Sequence, residues 1–218
     1  MASEDVDTPH GPARVHLQAA GRPRAALLLG HGAGGSVTAR DLRAATGAAL
    51  ELGVSVALVE QPYRVAGRRS PAPAHQLDAA WRAVAAHLRA GALSGLPLLA
   101  GGRSSGARVA CRTAAEVGAE GVVCLAFPLH PPARRGRDGA ATQPPRPTRL
   151  PELDAVVVPV LVVQGERDPF GVPPSGPGRT VVVVPGDHRL TSDLKTVAAA
   201  VAAWLGEVLG GASAASPP

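Results

Sequence analysis

Six short runs of valine, leucine and alanine punctuate this chain, and apolar residues recur at helical spacing in one segment between them and again after the last. The runs are Ala25 to Leu29, Val54 to Val59, Leu96 to Ala100, Gly121 to Phe127, Val156 to Gln164 (interrupted by Pro159) and Thr180 to Val184. An unbroken apolar run of strand length implies a strand covered on both faces. Between Leu77 and Leu88, Leu77, Trp81, Val84 and Leu88 recur at intervals of three and four, which places them on one side of a helix. Leu194, Val197, Val201, Trp204 and Val208 do the same within a predicted helix from Ser192 to Leu209. Thr38 to Leu52 and Ser105 to Val117 complete the helices, and Arg14 to Gln18, with Val15 and Leu17 on one face, reads as a half-exposed strand. Strands that alternate with helices close into an α/β fold: a mostly parallel sheet with helices on both faces, joined by right-handed crossovers.

A length of 218 residues suits one such domain, here 13–209, with disordered tails expected over 1–12 and 210–218. Only five residues are Phe, Trp or Tyr, so the core must be built from Val, Leu and Ala. The formal charge is +5, and Lys195 is the only lysine. The arginines are scattered and not interleaved with aromatics, so no nucleic-acid partner is expected. Cys111 and Cys124 lie apart from any His or Cys at metal-ligand spacing and are expected to be reduced core thiols; no metal site is expected. Met1 to Pro12 carries no apolar signal-peptide core, and the apolar run broken by Pro159 is too short to span a bilayer. A cytoplasmic location without membrane attachment is the corresponding expectation.

In parallel sheets of this kind, ligands bind beyond the carboxyl ends of the strands. Four motifs fall there. Gly102-Arg103-Ser104-Ser105-Gly106 fits G-x-S-x-G and stands between a strand and a helix, where a sharp turn exposes Ser104 and the helix N-terminus faces a developing oxyanion. Gly30-His31-Gly32-Ala33-Gly34-Gly35 follows a buried strand and has the form of an oxyanion loop. The N–H groups of Ala33 and Ser105 are the candidate oxyanion donors, each such donor being worth about 3 to 4 kcal/mol. The same loop also satisfies G-x-G-x-x-G, with Glu60 as a possible ribose-binding acid, which keeps a dinucleotide-binding oxidoreductase as an alternative. Gln164-Gly165-Glu166-Arg167-Asp168 ends another strand, with Asp168 the candidate carboxylate and Glu166 its competitor. Val184-Pro185-Gly186-Asp187-His188 follows the last strand and supplies the candidate base. The chain order Ser, Asp, His is the order used by α/β-hydrolases. His31, Gly32 and His130 are candidate substrate contacts, although His31 is better cast as shaping its loop.

Taken together, H-G-A-G-G, G-R-S-S-G-A-R, Q-G-E-R-D-P-F-G and G-D-H resemble the small α/β-hydrolases similar to dienelactone hydrolase, in particular the testis-expressed-protein-like branch. The resemblance runs from about Ala25 to Leu209 and takes in Gln61-Pro62-Tyr63, Gly67-Arg68-Arg69 and Phe127-Pro128-Leu129-His130-Pro131. It implies an α/β-hydrolase fold and a Ser-His-Asp serine hydrolase acting on a small-molecule ester-like substrate without cofactor. Dienelactone hydrolase uses cysteine where this chain has Ser104, so its lactone substrate does not carry over. Some relatives look like non-enzymatic parts of larger complexes, which leaves a catalytically silent interaction protein as the other alternative. The oligomeric state is left open. No segment is long enough for a helical cap domain, so an open cleft is expected, partly covered by the Pro- and Arg-rich stretch 128–149. The arginines of that stretch, Arg134, Arg135, Arg137, Arg146 and Arg149, are weighed as attractors of an anionic substrate against a plain solvated loop.

Overall fold

A computed structural model describes residues 2–132 and 147–214. Eight strands form one sheet in the order β1-β2-β4-β3-β5-β6-β7-β8. They are β1 (Ala2–Val6), β2 (Ala13–Gln18), β3 (Ala25–Gly30), β4 (Val54–Glu60), β5 (Leu98–Arg103), β6 (Gly121–Leu125), β7 (Val160–Gly165) and β8 (Arg179–Val184). β1 and β2 are antiparallel, and the pairs from β4 through β3, β5, β6 and β7 to β8 are parallel. The helices are α1 (Arg40–Glu51), α2 (Pro62–Val65), α3 (Ala74–Ala90), α4 (Ser105–Thr113), α5 (Leu150–Asp154) and α6 (Leu194–Ala214). The expected fold class is therefore found, and no cap domain is inserted among the described residues.

The central strands are buried on both sides because alternate residues feed two different cores. Ala26 and Leu28 of β3 pack with Trp81 and Val84 of α3 and Ala107 and Ala110 of α4. Ala25, Leu27 and Leu29 pack with Leu42 and Ala45 of α1 and with Val197, Val201 and Trp204 of α6. Cys111 and Cys124 lie in the first of these layers as free thiols, their sulfurs 3.5 Å apart. β5 runs through Gly101 and Gly102 to Arg103, three residues past the end expected from its apolar run. A Cβ on Gly102 would stand 2.6 Å from the Gly30 carbonyl and 3.0 Å from the Gly106 Cα, so the glycine lets β3, β5 and α4 close on one another.

Three other expectations are corrected. Residues 1–12, expected as a tail, include β1, which hydrogen-bonds along β2, buries Val6 and pairs Asp5 with Arg14 at 2.7 Å. Such an edge strand needs only backbone pairing and one inward side chain, so its polar composition hides it. α6 continues to Ala214, beyond the expected end at Leu209. Within it, 194–211 is long and apolar enough to cross a membrane by length and composition, yet Val197, Val201, Trp204, Leu205 and Leu209 are packed in the core. β7 begins after Pro159, which lacks an N–H for the ladder and contributes only its carbonyl, accepting from the Val122 N–H at 2.9 Å.

The parallel stretch sets the carboxyl ends of β3, β5, β7 and β8 on a single rim, and each candidate motif follows one of those ends.

Candidate active site

Ser104 stands at the turn from β5 into α4 with φ 52° and ψ −107°, a backbone state that L residues rarely adopt. The surrounding hydrogen bonds hold it there. Its N–H donates to the Leu125 carbonyl at 2.9 Å, and its carbonyl accepts from the Arg108 N–H at 3.2 Å. The turn thrusts the hydroxyl toward the loop after β8, where His188 Nε2 lies 2.9 Å from Ser104 Oγ. His188 Nδ1 lies 2.7 Å from Asp168 Oδ2, and the Asp168 side chain is fully buried. A carboxylate accepts but does not donate, so Nδ1 carries the ring proton and Nε2 accepts from the serine hydroxyl. Residues 84 and 20 positions from His188 in the chain are thus joined in one hydrogen-bonded series. Glu166, the competing carboxylate, is exposed and pairs with Arg167 instead.

Asp168 is held from three sides. Besides His188, its Oδ2 accepts from Gln164 Nε2 at 2.7 Å, and its Oδ1 accepts from the Phe170 N–H at 2.8 Å. Gln164 is fully buried at the end of β7, and the same amide nitrogen faces the carbonyls of Phe127 and Gly171. The Phe170 ring meets the imidazole edge to face, with centroids 4.5 Å apart.

The loop after β3 is braced by His31, which is 3% exposed. Its Nδ1 donates to the Gly32 carbonyl at 2.8 Å, and its Nε2 accepts from the Gln61 N–H at 3.1 Å. The Gly35 N–H donates to the same Gly32 carbonyl at 3.0 Å. With that carbonyl fixed, the trans peptide directs the Ala33 N–H the opposite way. Neither the Ala33 N–H nor the Ser105 N–H has a backbone partner among the described residues. Tyr63 Oη donates to the Ala33 carbonyl at 2.7 Å, and burial pushes its pKa up to about 12, so it stays a donor. Gly32 leaves its open side to the serine turn: a Cβ there would stand 2.8 Å from Arg103 Nη1 and 3.6 Å from Ser104 Cβ. A pyrophosphate bound to a G-x-G-x-x-G loop would need that space. Glu60, the supposed ribose ligand, faces His16 at 3.5 Å. The dinucleotide alternative therefore finds its glycines and its acid already engaged.

His31 is thus a brace rather than an exposed substrate contact. Both ring nitrogens are engaged as in a neutral imidazole, and burial lowers its pKa from the ordinary 6.5, an effect partly offset by the Gly32 carbonyl. The unfolded chain therefore binds the extra proton as pH falls below about 6.5, and stability rises with pH across that range. Denaturant midpoints at pH 5.5 and 7.5 should show a loss of stability on acidification that shrinks in His31→Gln. An undiminished loss in that variant would exclude His31 as its source.

His130 is tied to the segments on either side of it rather than to the three-residue series. Its N–H donates to the Phe170 carbonyl at 2.8 Å, and its Nδ1 lies 3.0 Å from the Pro147 carbonyl. It touches the Phe170 segment and makes no hydrogen bond to Ser104. Arg149 donates through Nη1 to the carbonyls of Pro128 and His130 at 3.0 and 3.2 Å, so it ties the two ends of its stretch together. Arg134, Arg135, Arg137 and Arg146 lie outside the described residues.

The part played by Arg103 was not foreseen from its motif. Its Nε donates to Asp41 Oδ2 at 2.9 Å, and its Nη2 donates to the His188 carbonyl at 3.0 Å. The Asp41 side chain is 1% exposed; burial raises its pKa, and the guanidinium opposes that shift. One side chain thus fastens the strand before the serine to the start of α1 and to the backbone of the histidine loop. The only signal was an arginine inside an otherwise small-residue turn.

A model of the alpha/beta hydrolase domain family matches residues 23–192. Among solved structures, an α/β serine hydrolase without a lid from Xanthomonas campestris aligns with a TM-score of 0.75 at 23% identity, over 100% of this chain and 96% of its own. Est1E from Butyrivibrio proteoclasticus aligns at 0.74 and 15% identity, over 96% and 100% of the two chains. A dienelactone hydrolase from Anabaena variabilis aligns at 0.69 and 16%, over 94% and 96%. No curated protein matches the chain. At these identities the structural likeness concerns the fold.

Proposed function

This chain belongs to the alpha/beta hydrolase domain family, and from that premise we propose that it is a serine hydrolase cleaving a carboxylester or thioester through an acyl-enzyme on Ser104. The observation that carries this reading is the continuous series from Ser104 Oγ through His188 to Asp168, with contacts of 2.9 and 2.7 Å. His188 Nε2 takes the hydroxyl proton as Oγ attacks the carbonyl carbon, and the buried carboxylate stabilises the imidazolium that results. The N–H groups of Ala33 and Ser105 receive the negative charge on the carbonyl oxygen. The tetrahedral intermediate collapses as His188 returns the proton to the leaving atom. Water, deprotonated by the same imidazole, then attacks the acyl carbon and frees Ser104.

The similarity of the solved neighbours supports the fold on which this chemistry rests, and the strained serine turn supports the choice of nucleophile. A fluorophosphonate probe tests the reading directly. Covalent labelling that maps by mass spectrometry to the peptide containing Ser104 is the expected result. A protein that stays unlabelled while its neighbouring fold is intact would instead be a hydrolase-shaped interaction partner without turnover.

A further inference from the structure

A cavity of about 460 Å³ lies beside the serine turn, between the loop after β3, the start of α1 and the loop after β8. Four arginines line it, Arg40, Arg64, Arg103 and Arg189, together with the hydroxyls of Ser36 and Thr191. Asp41 is the one carboxylate among the lining residues, and its charge is already taken by Arg103 Nε at 2.9 Å. Arg64 donates only to a neutral backbone carbonyl, that of Arg68, at 3.3 Å. The Arg40 and Arg189 guanidiniums make no hydrogen bond or ion pair among the described residues. Three guanidinium charges therefore share one concavity with no carboxylate left to oppose them.

Guanidinium forks match the paired oxygens of carboxylate and phosphate, and a concave cluster of one sign raises the local concentration of the opposite ion. The cavity also sits in register with the chemistry. Arg103 immediately precedes Ser104, Arg189 immediately follows His188, and Arg103 Nη2 holds the His188 carbonyl at 3.0 Å. His188 is the group that hands its proton to the leaving atom in the reaction proposed above, and Arg103 and Arg189, its partner and its chain neighbour, both line the cavity.

We propose that this arginine-lined cavity is a subsite for an oxyanion carried by the leaving group, so that the enzyme selects esters or thioesters whose alcohol or thiol portion bears a carboxylate or a phosphate. The assignment rests on the serine-hydrolase reading. It adds a substrate class, and it explains why cationic side chains crowd a rim where one ion pair already suffices to hold the histidine loop.

Three acetyl esters with a common acyl group test it: methyl 4-acetoxybenzoate, which is neutral, 4-acetoxybenzoate and 4-acetoxyphenyl phosphate. The wild-type protein should show a kcat/KM at least about tenfold higher for one or both anionic esters, expressed mainly in KM, since a charged hydrogen bond is worth roughly one such factor. The larger of the two preferences identifies carboxylate or phosphate as the better fit. The double variant Arg40→Ala, Arg189→Ala changes two exposed side chains, and in it the ratio of anionic to neutral kcat/KM should fall toward one. The preference should also weaken with added salt. Equal kcat/KM for all three esters in the wild type, or a preference that survives in the double variant, overturns the subsite and leaves the hydrolase reading standing. A protein that turns over none of the three overturns the hydrolase reading, and the subsite with it.

Discussion

Ser104→Ala should lower turnover of short 4-nitrophenyl esters by about a millionfold, the scale seen when an activated serine is removed from a triad that works as a unit. The loss follows from what the hydroxyl alone supplies, since among the described residues Ser104 Oγ, at 2.9 Å, is the one nucleophile hydrogen-bonded to His188 Nε2. Folding should be unaffected. The substitution removes one oxygen from a half-buried position, while the bonds that hold the turn, from the Ser104 N–H to Leu125 and from the Arg108 N–H to the Ser104 carbonyl, are made by backbone atoms. Steady-state rates beside thermal unfolding curves check both halves. Retained turnover in a correctly folded variant would remove Ser104 from the mechanism.

Asp168→Asn should cost about 10⁴-fold in kcat while leaving substrate binding close to that of the parent. The size comes from the partners of the carboxylate. Gln164 Nε2 and His188 Nδ1 both donate to Oδ2, and the Phe170 N–H donates to Oδ1. An asparagine that keeps its oxygen toward Phe170 must turn its NH₂ toward two donors. The imidazole escapes that clash by moving its proton to Nε2, and a protonated Nε2 can no longer accept from Ser104. Pre-steady-state acylation kinetics separate this effect from a binding defect. An acylation rate within tenfold of the parent would show that Asp168 does not set the tautomer.

Much of this architecture could be read from residue types, because the features that encode it are local. Uninterrupted apolar runs such as 25–29 and 54–59 mark strands covered on two sides, and they formed where expected. Ser104, Asp168 and His188 each follow a strand end, so parallel topology alone brings them to one rim. What escaped is non-local or lies at an edge. Among the described side chains of β1 only Val6 is buried, and its pairing with β2 is made by backbone groups common to every sequence. α2 and α5 are four and five residues long, too short for a periodic pattern, though a proline in the first turn of each was a legible start signal. Gln164 was swallowed by the apolar run that contains it, although a polar side chain at the end of a buried strand has to satisfy its amide somewhere. The Arg103 to Asp41 contact joins positions 62 residues apart, and no spacing rule foretells it.

That contact limits how the chain can vary. Asp41 is sealed from water, so neutralising Arg103 would strand its charge inside the protein, and neutralising Asp41 would free the guanidinium to swing away from the His188 carbonyl. Positions 41 and 103 are therefore constrained to drift as a couple, and a lineage that loses one without the other forfeits the alignment of its proton acceptor even with all three reacting side chains intact.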